Sequence, residues 1–301
     1  MTEVTLHQHR SRKYVLTLHK TDIVPASLTA PLIGLPRFLI LCFVGALVIV
    51  PLLATAVGGF KELGELRTNP FGLPKVWQWE NYWSILTSAR YWRILGNSLL
   101  ISSVTVALTL AVAAPAAFAF AHLRFFGQRM LFNYFILGLT FPFATAILPL
   151  FIKVRDLGLL DTHWGIILPQ VAFSQALSIL LMRNAFRQLP SELLDAALVD
   201  GCGYARFFLS IVLPLSRPIL ATVAVITFVV SWNNFLLPLV VINTNAKYPW
   251  TLGLMDYQGE FIVAWQLILA FITLTILPAI LMFVLAQRYI VSGLTAGAVK
   301  G

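Results

Sequence analysis

Between two long apolar runs the chain reads Glu192-Leu-Leu-Asp195-Ala196-Ala197-Leu-Val-Asp200-Gly201, continues through nine residues, and closes on Ile211-Val-Leu213-Pro214. Local physics predicts a helix, a turn and a second helix here. Ser191 after Pro190 reads as an N-cap, which places Glu192 and Asp195 in the first turn, where the positive end of the helix dipole favours acids. Ala196 and Ala197 favour helix and carry almost no side-chain bulk, so a second surface can approach the backbone closely. Gly201, with Gly203 beyond it, supplies the backbone freedom for a turn. The apolar stretch from Tyr204 to Val212 resumes a helix and Leu213-Pro214 stops it. The segment 191–214 is therefore read as a compact knob; the plainer alternative is an amphipathic helix lying on a membrane surface.

Composition sets the class of the rest. The chain is 59% hydrophobic and 11% charged, against roughly 25% charged residues in a soluble domain. Uncharged runs recur that are long enough to cross about 30 Å of hydrocarbon as helices. Six spans are expected, near residues 35–57, 96–121, 130–152, 164–182, 218–242 and 261–286. The alternating pattern of a membrane barrel is absent, so the expected class is an all-α polytopic membrane protein. Its parts would be a basic tail over 1–34, a six-helix domain over 35–290 and a short tail over 291–301. With both termini inside, 13 of the 21 lysines and arginines fall on the inner side, the orientation that the positive-inside rule favours. That orientation places the knob in the cytoplasm. It also accounts for the net charge of +9 without nucleic acid.

The first apolar run, Phe38 to Val57, exceeds the 7–15 residues of a signal-peptide core, so it reads as an uncleaved span despite Ala54-Thr55-Ala56. Cys42 in that span and Cys202 in the knob offer neither a disulfide framework nor a metal site. The longest outer segment, Gly58 to Leu95, carries Trp77, Trp79, Tyr82 and Trp83. These read either as an interfacial aromatic belt or as part of a docking surface for an external protein.

The spans from Asn97 onward carry no Asp, Glu, Lys or Arg, whereas ion-coupled carriers often hold an ionisable group within the bilayer. A G-x-x-x-x-G-K-[ST] phosphate loop is also missing, so this chain is not expected to hydrolyse ATP itself. Polar interruption is concentrated in Ser231-Trp232-Asn233-Asn234-Phe235 of the fifth span. Asparagine in hydrocarbon is costly unless its amide finds partners. These residues therefore serve either interhelical hydrogen bonding or a polar, aromatic lining of a translocation path, with Trp232 offering a face to a sugar ring. Pro115, Pro142, Pro149, Pro169 and Pro278 are candidate kinks.

The knob's spacing, acid-Ala-Ala, three residues, Gly, nine residues, Ile-x-Leu-Pro, resembles the signature of the membrane subunits of binding-protein-dependent ABC importers. It departs from that signature only in Asp195, where the family usually has Glu. The ending Gln287-Arg288-Tyr289-Ile290-Val291-Ser292-Gly293 and onward, Asn97-Ser98 and Ser231 to Phe235 resemble the carbohydrate-importing, maltose-permease-type branch. The resemblance implies an inner-membrane permease fold of six helices with a cytoplasmic coupling helix. It implies a second homologous permease, two ATP-hydrolysing subunits, an external solute-binding protein and a sugar or related polyol or glycerol-phosphate substrate. Glu192, Asp195, Ala196, Ala197, Asp200, Gly201, Ile211, Leu213 and Pro214 would then be the ATPase-coupling residues. Trp232, Asn233, Asn234 and Phe235 would be candidates for the translocation path.

The rival class is a secondary carrier or channel not driven by ATP, which the uncharged spans and the knob disfavour. An enzyme ranks lower, because the histidines form no metal-ligand or nucleophile–base constellation. No cofactor is expected.

Overall fold

A computed structural model of the chain describes residues 26–259 and 263–298. Their regular structure is helical, with one isolated antiparallel bridge between Gln258 and Val263. In order the helices are α1 (Ala26–Gly58), α2 (Leu63–Thr68), α3 (Glu80–Leu86), α4 (Ala89–His122), α5 (Gln128–Leu137), α6 (Ile147–Asp156) and α7 (Trp164–Phe186). They continue as α8 (Ser191–Val199), α9 (Tyr204–Phe207), α10 (Leu213–Leu215), α11 (Arg217–Trp232), α12 (Leu236–Val241), α13 (Trp250–Gly253) and α14 (Trp265–Ala298). The basic tail expected over 1–34 lies outside the described residues as far as residue 25.

The chain divides after Pro51 into two compact units. In the first, the side chains from Leu35 to Val50 are almost all exposed, as apolar residues are when lipid is their solvent. The second unit holds the packed core.

Among the described residues, four helices are long and apolar enough to cross a membrane: the first, α4, α7 and α14. Two bent pairs bring the number to six if each counts as one span. Residues 128–140 meet 143–156 at 94°, where Pro142 removes a backbone donor. Tyr204–Leu215 meets Arg217–Trp232 at 77°, and Pro218 sits in the first turn of α11, where its missing N–H costs nothing. At 16 residues, α11 extends only about 24 Å. The expected fifth span over 218–242 is completed by α12, after an interruption at Asn233 to Phe235. Pro149 lies in the first turn of α6, and Pro115, Pro169 and Pro278 lie inside unbroken helices, so of the candidate kinks it is Pro142 that coincides with a sharp one.

Burial is concentrated at the two ends of α4, α7 and α11. One cluster joins the end of α4 (Ala113, Phe118, Phe120), the end of α7 (Met182, Phe186), the start of α11 (Val223) and the knob. At the opposite, far end, Ile101 of α4 and Ile166 and Ile167 of α7 pack with Val154 of α6 and Leu237 and Val241 of α12. A neighbouring far-end cluster places Tyr91, Phe228, Trp232 and Phe271 together. On membrane helices such side chains stabilise by close van der Waals packing rather than by leaving water, and both ends are held by several of them.

Candidate functional site

The knob is α8, a turn, and the continuous run from α9 to α10. Its first helix begins at Ser191, with Pro190 as the extended residue before it and no side-chain cap bond. This corrects the expected N-cap by one position: Pro190, locked in φ and extended in ψ, takes the capping place. Glu192 stays in the first turn, and Asp195 moves into the second. The helix ends as the sequence predicts. Gly201 has φ +73°. Its N–H reaches Leu198 O at 3.1 Å and the Cys202 N–H reaches Ala197 O at 2.8 Å, the paired bonds of a Schellman turn. A Cβ at Gly201 would meet nothing within 4 Å, so glycine is needed here for backbone conformation and not for space.

The two alanines face opposite ways. Ala197 is buried in the knob-end cluster while Ala196 is exposed. Phe207, 1% exposed, and Val212 join that cluster from the second half of the knob, with Ile211 and Leu213 packed beside them. His122, closing α4, sets its ring at 90° to Phe207 with centroids 6.0 Å apart. Arg183 at the end of α7 lies 3.9 Å over the Phe132 ring and donates to Phe120 O, which the α4 C-terminus leaves free. The knob is thus embedded in the ends of two membrane-length helices. Its outer surface carries Glu192, Asp195 and Asp200 around Val199, which is 87% exposed, with Leu198 beside it.

The second half of the knob differs from expectation. Leu213-Pro214 does not stop the helix; the backbone widens into a π turn over Phe208–Val212 and runs on through Leu215. Pro214 has no N–H to offer the carbonyl of Ser210, and a wider turn accommodates that loss. The chain changes direction at Ser216, two residues later than expected.

At mid-span, a cavity of about 380 Å³ lies between α4, α7, α11 and the break near Pro142. One wall is aromatic, with Phe141, Phe143 and Phe173. The other is polar and centred on Gln170, a 5% exposed side chain of α7. Gln170 Oε1 accepts from Ser231 Oγ at 2.6 Å and from Thr105 Oγ1 at 3.3 Å. Its Nε2 is buried and has no partner among the described residues. An unpaired buried donor costs about 1–3 kcal/mol, so this amide favours any acceptor that enters the cavity. Among the described residues, no acid or base lines the cavity.

The four sequence-stretch candidates in the fifth span separate. Asn234 lines the cavity, and its Oδ1 accepts the Leu237 N–H that opens α12. Asn233 turns its amide back onto Val229 O, and Phe235 is exposed. Trp232 is 2% exposed and stacks on Phe228 at 5.4 Å, with Trp250 nearby. The carbonyls freed by the interruption are satisfied locally: Trp250 Nε1 donates to Trp232 O and Thr251 Oγ1 to Asn234 O. This is how a helix break is tolerated at membrane depth. Asn97 and Ser98 brace the same loop. Asn97 Nδ2 donates to Ala246 O and Tyr248 O, and Ser98 Oγ accepts from Trp250 N. Gln170 carries no charge to mark it in the sequence, and Thr105, one of several hydroxyl residues of the second span that read as packing residues, lines the cavity instead. A glutamine following Pro169 in an uncharged run was the available signal.

Comparison with known proteins agrees with this architecture. The chain is 34% identical over 256 residues to a diacetylchitobiose uptake system permease protein of Streptomyces coelicolor, covering 84% of this chain and 85% of that one. It is 34% identical over 277 residues to an arabinooligosaccharides transport system permease protein of Halalkalibacterium halodurans, covering 91% and 99%. It shares its fold, at a TM-score of 0.76 and 22% identity, with a chain of a bacterial ABC transporter involved in the import of the acidic polysaccharide alginate, covering 87% of this chain and 98% of that one. Residues 111–294 match the family model described as binding-protein-dependent transport system inner membrane component, and the chain belongs to that family.

Proposed function

We propose that this chain is the membrane-spanning permease subunit of an ATP-driven sugar uptake transporter in the cytoplasmic membrane, with the knob on the cytoplasmic side and both termini inside. The family and the sugar-permease relatives support the class of function. The observation that carries the mechanism is the embedding of the knob in the ends of α4 and α7. A partner that grips its exposed acids and Val199 moves the membrane helices with it. In this reading two ATPase subunits each take one knob, this chain's and that of a second homologous permease. An external binding protein delivers the solute. Asp195, in the second turn and exposed, offers a carboxylate to a cationic or hydrogen-bonding group of the ATPase; Ala196 permits close approach.

The mid-span cavity supplies the path. Its volume falls within the range of about 300–1,000 Å³ usual for small-molecule pockets. Hydroxyl groups are donors and acceptors with an apolar ring face, which the Gln170 amide and the phenylalanine wall complement. The uncharged lining gives a proton- or ion-coupled carrier nothing to titrate there.

The test uses Gly201. A β-branched residue at φ +73° is a steric outlier, costing about 1–2 kcal/mol, whereas asparagine visits that region readily. Co-expressed with its candidate ATPase, Gly201→Val is expected to lose co-purification or ATPase coupling with membrane insertion intact, and Gly201→Asn to retain most of both. Unchanged assembly and coupling in Gly201→Val would return the knob to a surface helix.

A further inference from the structure

Asp161 stands out at the far end. It is the non-glycine residue with positive φ among the described residues, at +54°, a conformation that Asp tolerates but glycine would adopt without strain. It lies in the corner between α6 and α7, and it is bonded at every polar atom to the segment around the end of α12. Its N–H donates to Val241 O at 2.8 Å. Its Oδ1 accepts the N–H groups of Asn243 and Thr244 at 3.0 and 2.9 Å. Its Oδ2 accepts Thr244 Oγ1 at 2.6 Å and Lys247 Nζ at 2.9 Å, and Lys247 Nζ also donates to Asp161 O. His163 contacts Lys247 O from the same corner. Beneath this clasp Val154 of α6 packs with Leu237 and Val241 of α12. Gly165 brings the start of α7 so close that a Cβ there would sit 2.8 Å from Val241 and 2.5 Å from Leu159 O.

The elements so joined are the far-end portions of the two interrupted spans. α6 follows the 94° break at Pro142, and α12 follows the interruption at Asn233 to Phe235. Both breaks border the mid-span cavity through Phe141, Phe143 and Asn234. By contrast α5, on the other side of the Pro142 break, contains no buried residue. A carboxylate clasp that binds one corner to the other leaves the break beside α5 as the compliant point.

We propose that Asp161 is a positioning residue that locks α6 and α12 into one body above the cavity, a body that moves against α5 about the break at Gly138–Pro142 during the transport cycle. The proposal rests on the transporter reading given above. The Thr244 hydroxyl, Lys247 and the Thr244 and Asn243 N–H groups hold the Asp161 carboxyl well below the usual carboxylate range. The clasp is therefore charged and closed at neutral pH, and opens only as the pH falls below that range.

The test is a pair of spin-label distances in the assembled transporter in lipid nanodiscs, with Cys42 and Cys202 replaced by serine. Labels at Ile152 of α6 and Leu239 of α12 report the body; labels at Tyr134 of α5 and Ile152 report the hinge. All three positions are exposed. Expected in the parent protein is a narrow Ile152–Leu239 distance unchanged between nucleotide-free and ATP-trapped states, with a Tyr134–Ile152 distance that shifts. Asp161→Gly removes the strain and the clasp together. It is expected to broaden the Ile152–Leu239 distribution and lower uptake by about fivefold or more while ATP hydrolysis continues. Asp161→Asn keeps one acceptor oxygen for the Asn243 and Thr244 N–H groups and is expected to restore part of the narrow distance and of the uptake. An Ile152–Leu239 distance that itself changes with ATP, or one that stays narrow in Asp161→Gly, overturns the clasp. If neither distance responds to ATP, the moving body is overturned, whereas absence of ATP-driven uptake in the parent protein is what overturns the transporter reading. That failure is separable, because the effect of Asp161→Gly is read without nucleotide.

Discussion

The two ends of the second unit hold their loops by different means. At the knob end the connecting segment is fixed by burial: Ala197, Phe207 and Val212 sit among Phe118, Met182 and Phe186. At the far end Leu252, Tyr248 and Trp250 also pack into apolar clusters, and the loops are fixed besides by hydrogen bonds to named groups. These are the Asp161 clasp, the Asn97 and Ser98 braces and the bidentate Arg90–Asp256 pair. Lys61 likewise donates to Asn69 O and Pro70 O in the α1–α3 connection. Apolar packing is distributed and resists force from any direction, which suits the coupling role proposed for this segment. Hydrogen bonds are directional, which suits loops that hold two corners in one fixed geometry, as the proposed clasp does.

Three substitutions bear on this contrast. Phe207→Ala attacks the buried end and carries the largest expected effect. Emptying a 1% exposed phenylalanine site costs about 3–5 kcal/mol, visible as a marked fall in thermal stability of the purified protein in detergent. A change near zero would mean that the knob is not held by burial.

Gln170→Leu addresses the region between the ends. It removes an unpaired buried donor and also the acceptor of Ser231 and Thr105, so the cost and gain in stability largely offset. Its effect belongs to the solute: a loss of one hydrogen-bonding group, about 1–1.5 kcal/mol, lowers apparent uptake affinity by roughly tenfold at unchanged thermal stability. Unaltered uptake affinity would move the solute contact elsewhere.

Asp256→Asn has the smallest expected effect. The Arg90–Asp256 pair is partly exposed, with side chains 42% and 26% accessible, and such pairs contribute about 0–1 kcal/mol. A melting shift beyond that range, insensitive to salt, would show that the far end relies on this single ion pair more than on its distributed bonds.

Several local features were legible in the chain itself. Gly201 was read as a turn residue and adopts φ +73°; its left-handed cap depends on neighbours within six residues. Pro142 was read as a kink because a missing N–H acts on the adjacent turn, and it sits at the 94° break. The stop expected at Leu213-Pro214 failed for a reason equally local: a π turn absorbs the proline. Trp232 could not be placed from sequence. Its indole faces Phe228 and Trp250, and Trp250 arrives at the start of α13, 18 residues on.

The sequence by itself determined the class of the protein and the position of the knob. Hydropathy over about 20 residues and turn preferences over a few are properties of contiguous residues. Tertiary structure decided which polar groups meet. Gln170 reaches Ser231 across 61 positions and Asp161 reaches Lys247 across 86. Contacts at such separations follow from how helices pack, and an uncharged amide in a membrane helix reveals its partners only once the neighbouring helices are in place.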